Sequence, residues 1–108
     1  MAEWVQISIQ CFKQIESFPK DEKYGLSSQT TKAAVSITSK IAEGSSRTFE
    51  KDYHRFLEIA LGSAFEFETQ ILIAKALNFG KKEVRDNILQ LLQEEQKMFI
   101  SFMEKLEK

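Results

Sequence analysis

Few side chains in this sequence could do chemistry, and their spacing decides what kind. Glu66, Glu68 and Gln70 stand among apolar neighbours. Carboxylates in such surroundings can serve as general acids or metal ligands. A di-iron bundle centre needs a glutamate from each of two helices and a Glu-x-x-His pair from each of two more. His54 is the only histidine, and Lys51 occupies the position three before it. That pattern is therefore broken, and neither a metal nor a cofactor is expected. On a helix Glu66 and Gln70 share a face while Glu68 points elsewhere, so hydrogen bonds or ion pairs to neighbouring helices are the expected use. His54 lies between Glu50 and Glu58 at helical spacing, which suits a surface charge network. Triad chemistry would need an activated nucleophile beside it, and Ser63 is more than two turns away. Cys11 is the only cysteine. It can form no intrachain disulfide, fits a reducing, cytoplasmic setting, and is most simply a small core residue.

A second group of residues could hold phosphate. Glu43 falls at the end of a predicted helix, where the macrodipole disfavours a carboxylate by up to about 1 kcal/mol. Lys40 one turn earlier and Arg47 beyond the turn could offset this. The structural reading is a polar clamp, Glu43 with Arg47, that holds a helix corner. The functional reading is that Arg47 faces a phosphate and Glu43 orients it. Gln29, Lys32, Ser36, Ser39 and Lys40 sit on a polar face of the same helix. That face is either solvated or a local phosphate-facing strip. No aromatic residue interleaves it in the sequence, so base stacking is not expected there.

The elements that must position these groups are helical. The chain has 108 residues, only 4 glycines and 1 proline, which favours long uninterrupted elements in a single domain spanning 1–108. A net charge of −1 gives no global field to draw in nucleic acid, so any such site must be local. The start, Met1-Ala2-Glu3-Trp4, lacks a basic region followed by an apolar core, and no apolar run approaches membrane length.

The spacing predicts a helix over Glu3–Ser17, with Trp4, Ser8, Cys11, Ile15 and Phe18 on one face and Val5, Ile9 and Phe12 widening it. Pro19 ends it. A second helix is predicted over Leu26–Glu43, with a narrow stripe of Leu26, Thr30, Ala33 or Ala34, Ile37 and Ile41 and Gly44 as its left-handed cap. Thr48 is the expected N-cap of a third helix over Glu50–Leu77. Gly80 is expected to cap the third helix, and a fourth follows over Lys82–Glu107. The third helix is apolar on two sides. One face carries Tyr53, Phe56, Leu57, Ala60, Ala64, Phe67, Ile71 and Ala74, and the other carries Leu61, Phe65, Leu72 and Ile73. The second strip is either covered by the first helix or is a subunit interface, and the interface is favoured. Gly62 in mid-helix suggests a close backbone approach. Long helices on short connections form an antiparallel up-down four-helix bundle.

Several pieces of this pattern belong together. They are Phe18-Pro19-Lys20, Tyr24-Gly25-Leu26, Ser28-Gln29, Ala33 to Ile37, Ile41-Ala42-Glu43-Gly44, Arg47, Phe56 to Ala60, Gly62-Ser63 and Glu66 to Gln70, with Ala74. In them the chain resembles the four-helix-bundle family first noticed as open reading frames inside intervening sequences of bacterial 23S ribosomal RNA genes. That family is in turn similar to the accessory variability protein of diversity-generating retroelements. The resemblance implies an all-α homo-oligomer, typically a pentamer, with a nucleic-acid role and no attached enzymatic activity. Family members carry a basic pair where this chain has Thr31-Lys32, a proline at Thr38 and an asparagine at Lys40. One basic position is thus lost and one gained.

Residues and resemblance together lead to a non-enzymatic, ring-forming scaffold. It would associate with structured RNA, other nucleic acid or a nucleic-acid-processing partner through Lys32, Lys40 and Arg47, and with itself through Leu61, Phe65, Leu72 and Ile73. The alternative is a protein–protein adaptor with no nucleic-acid contact. No arrangement of side chains meets the geometric needs of an active site, and no small-molecule substrate or membrane is implied.

Overall fold

The computed structural model describes residues 2–107. Among them are four α-helices and no strand: α1 (Ala2–Ile15), α2 (Leu26–Ser45), α3 (Glu50–Ala76) and α4 (Lys82–Glu107). The first connection contains the short 3-10 turn Lys20–Glu22. The helices pack in cyclic order, each against its chain neighbours and α4 against α1, so α1 and α3 occupy opposite corners. The bundle measures 44 × 24 × 19 Å, its length set by α3 and α4 at about 1.5 Å per residue. None of the helices is long and apolar enough to cross a membrane.

Packing between α2 and α3 is the most extensive because both present small residues, Ala33 and Ala34 against Ala60 and Ala64, all buried. Phe67, Leu57, Ile71, Ile37, Ile7, Ile88 and Leu92 fill the centre. Each such side chain contributes about 1.5–3 kcal/mol by leaving water. Trp4 and Phe99 meet edge-on at 5.9 Å.

Two details depart from expectation, on α1 and at the start of α3, and one on α4 is decided by the structure. On α1 the buried row is Trp4, Ile7, Cys11 and Gln14, and Val5, Ile9 and Phe12 are left exposed. With α2 and α4 as its neighbours, α1 turns the side bearing Ile7 and Gln14 inward. The hydroxyl of Ser8 reaches sideways to donate to the Ala34 carbonyl at 3.3 Å. On α4, where the helical spacing allows either Met98 or Phe99 in the inward row, Phe99 is buried and Met98 is 63% exposed. The α3 start is preceded by Phe49 in extended conformation with no side-chain cap, so Thr48 does not cap it.

The α3–α4 corner is tied by residues that periodicity did not mark. Asn78 has φ +59°, and the Phe79 and Asn78 N–H groups donate to the Ala74 and Lys75 carbonyls at 2.8 and 3.1 Å. This is a Schellman ending with asparagine, not Gly80, in the left-handed position. Phe79 then packs on Phe18. Arg85, only 4% exposed, donates to the Phe79 carbonyl at 2.7 Å and to that of Gly80 at 3.3 Å. Gln14 accepts from the Lys81 N–H at 3.0 Å, so α1 caps the start of α4.

Candidate nucleic-acid interface

Lys32, Ser36 and Lys40 recur every four residues on α2, which places them in a line that faces α3. Lys32 and Lys40 are about 12 Å apart along the axis. A groove of about 260 Å³ runs beside them, lined by Gln29, Lys32, Ala33, Ser36, Ser63 and Glu66. Ser36 is committed to this seam, since its Oγ lies 3.1 Å from Ser63 Oγ. Ser39 lies on the other side of α2 and lines the α1–α2 groove with Val5, Ile9 and Val35. The polar face expected from the sequence is therefore split in two.

The line ends at the α2–α3 corner. Here α2 runs on through Gly44 to Ser45, and the Ser45 and Ser46 hydroxyls donate to the Ala42 and Glu43 carbonyls at 2.8 and 2.7 Å. Lys40 Nζ lies 3.4 Å from Glu43 Oε1, which offsets the carboxylate's position at a helix C-terminus. Glu43 and Arg47 do not pair. The guanidinium of Arg47 instead lies 4.5 Å from the centre of the Phe56 ring, with Lys40 Nζ 5.9 Å from the same ring. Two cations thus lie against one aromatic ring, each contact contributing about 0.5–1 kcal/mol at a surface. Arg47 is exposed, as is Phe49 beside it at 69%.

Gly44 explains why the corner is this tight. It is buried in regular helix and is not a left-handed cap. A Cβ there would lie 2.8 Å from Phe56 Cβ and 2.9 Å from Tyr53 Cδ1. Its lack of a side chain lets the first turns of α3 close on the last turn of α2, and that brings Phe56 beneath Arg47.

His54 Nδ1 lies 2.9 Å from Glu58 Oε1. Glu66 is exposed and Gln70 is buried. Glu95 is held above the usual carboxylate range by burial and by Glu3. Among the described residues no three His, Cys, Asp or Glu side chains converge as metal ligands would.

Cys11 is fully buried, and burial pushes its thiol from 9.0 up to about 12. The folded thiol stays protonated where an unfolded one ionises. Its contribution to stability is therefore complete below pH 9.0 and is lost as pH rises from there toward about 12. Thiol labelling of native protein at pH 8 should be negligible and become complete in denaturant. Rapid native labelling would place Cys11 at the surface.

Of the residues singled out by sequence, Lys40 and Arg47 are brought together on Phe56, and Lys32 lies apart along the groove. Phe56, which its spacing places in the inward row of α3, instead lies against two cations. It stands 16 positions beyond Lys40, so no local spacing could have connected them. On α3, Phe65, Leu72 and Ile73 are 45, 49 and 44% exposed and Leu61 is half-buried. The diagonal placement of α1 rules out its covering them.

The family model described as 23S rRNA-intervening sequence protein matches residues 2–101. No curated protein matches the chain. A crystal structure from Bacteroides thetaiotaomicron, of a protein with unknown function from the S23 ribosomal protein family, is similar to this chain. It superposes with a TM-score of 0.85 at 20% identity, covering 94% of this chain and 95% of that one. At that identity the likeness speaks for the fold.

Proposed function

The chain belongs to the 23S rRNA-intervening sequence protein family, and from that premise we propose that it is a non-enzymatic scaffold which assembles with copies of itself and holds structured nucleic acid by its phosphates. The observation that carries this is the corner where Lys40 and Arg47 share the Phe56 ring. The ring restricts both cations, so less side-chain entropy is lost when they meet a phosphate. Lys32 extends the line. Such contacts position a backbone and read no sequence. With a net charge of −1, a single chain would bind weakly. Assembly supplies the strength by repeating the strip on one particle. The outward face of α3, with Phe65, Leu72 and Ile73, is the self-association surface in this reading, and a ring of five is the assembly that the family resemblance implies.

The same exposed apolar faces favour a second reading, a protein–protein adaptor without nucleic acid. Nuclease-untreated protein on a sizing column with light scattering separates the two. The scaffold reading expects a multimer that carries nucleic-acid absorbance, and binding that weakens steeply with salt. Changing Lys40→Gln and Arg47→Gln together should lower the slope of log K against log salt by about 1.8 per engaged copy. Unchanged binding would sink this choice of site. A clean multimer with a co-purifying protein would favour the adaptor.

A further inference from the structure

At the end of the bundle where α1 starts and α4 finishes, four aromatic rings and one carboxylate border a common hollow. On α4, Glu95, Phe99 and Phe102 follow at intervals of four and three, which puts them on one helical face. Phe99 meets Trp4 of α1 edge-on, and Phe102 meets Tyr53 of α3 edge-on, both with ring centres 5.9 Å apart. These rings and Glu95, with Met98 and aliphatic side chains of α2 and α3, line a space of about 210 Å³. Trp4 and Phe99 are buried, Phe102 is 44% exposed and Glu95 is half-buried. The walls are therefore rings already held in place by packing, and the mouth lies at Phe102 and Met98.

The lining selects a kind of ligand. Among the described residues, Glu95 is the only charged side chain that borders the hollow. Burial and the nearby charge of Glu3 hold its carboxyl above the usual carboxylate range, and a cation brought against it would relieve both effects. Aromatic faces attract positive charge, most strongly where water is displaced. A hard metal ion needs several oxygen ligands, which rings do not supply. A primary ammonium carries three N–H donors, whereas the lining contains one carboxylate and one hydroxyl, so a donor would be left unpaired at a cost. A methylated ammonium has no such donor to satisfy, and its methyl groups pack on the rings. The volume falls below the roughly 300–1,000 Å³ of drug-sized sites, which suits a headgroup and not a larger molecule.

We infer that this hollow binds a small quaternary ammonium cation, with its charge against Glu95 and its methyl groups on Trp4, Tyr53, Phe99 and Phe102. The site is independent of the corner formed by Lys40 and Arg47, and it takes a ligand of the opposite charge.

Choline is the probe, and neohexyl alcohol, which has the same shape with carbon in place of the charged nitrogen, is the control. Trp4 is the only tryptophan, so its indole N–H gives one isolated signal in a nitrogen–proton correlation spectrum. Choline added at constant ionic strength should shift that signal saturably, and the alcohol should bind about tenfold more weakly. Glu95→Gln keeps the shape and removes the charge. It should weaken choline about tenfold and leave the alcohol as it was. Phe102→Leu should weaken choline about threefold or more. A Trp4 signal unmoved by choline overturns the inference, as does an alcohol that binds equally well, since the hollow would then be apolar and nothing more. Choline affinity unchanged in both variants would place the cation elsewhere and overturn it too. Should either variant lose helical circular dichroism, the comparison of choline with the alcohol on the unaltered chain decides alone.

Discussion

Gly80→Ala should lower the stability of the bundle by about 3 kcal/mol, a large part of the 5–15 kcal/mol a domain holds. Gly80 has φ +79°, and an alanine there costs about 1–2 kcal/mol in backbone strain. The added Cβ would also overlap the Gln14 amide. Gln14 is fully buried and holds the Lys81 N–H through its Oε1 at 3.0 Å, so it cannot swing aside without leaving buried polar groups unpaired, at about 1–3 kcal/mol. For a chain of 108 residues each kcal/mol shifts Tm by about 4–8 °C, so thermal unfolding should begin well over ten degrees earlier. Gly80→Asn, whose side chain tolerates the left-handed region better, should still unfold early because it carries the same Cβ. An alanine variant within a few degrees of the parent would mean that Gln14 has room to move, and that the α1 contact does not hold this corner.

The second large effect is expected at Gly44→Ala, about 2 kcal/mol from overpacking. The new methyl would meet Phe56 at its Cβ, 2.8 Å away. That atom is fixed to the α3 backbone, so relief requires the two helices to part. The consequence reaches past stability. Phe56 would move from beneath Arg47 and Lys40, so phosphate binding should weaken even at temperatures where the variant is fully folded. A folded Gly44→Ala protein with unchanged binding would separate the corner geometry from the site. Gly62 makes a useful contrast. Its added methyl has open space within the chain, so within the bundle the close approach expected at Gly62 is found at Gly44, which is not the left-handed cap expected there.

That exchange shows where sequence reading stops. The four helices were legible, and their ends fell within two residues of those observed, because start and stop signals are local. Pro19 ends α1 and the polar residues around Gly80 end α3, whatever the rest of the chain does. The inward face of α3 was legible too, since Leu57, Ala60, Ala64, Phe67, Ile71 and Ala74 repeat at helical spacing, as was the run of motifs that marks the family. The tertiary structure decided which of several apolar rows turns inward. On α1 both the Ile7 row and the Val5–Ile9–Phe12 row satisfy a helical period, and only the positions of α2 and α4 select between them. It also placed Phe56 under Arg47 and set Gln14 and Arg85 into a corner built from three helices. Helix formation is settled by terms that act over four residues, and these can be read along the chain. Burial is settled by where other helices stand, and residues far apart in sequence, such as Gln14 and Lys81, acquire their roles only once the bundle has closed.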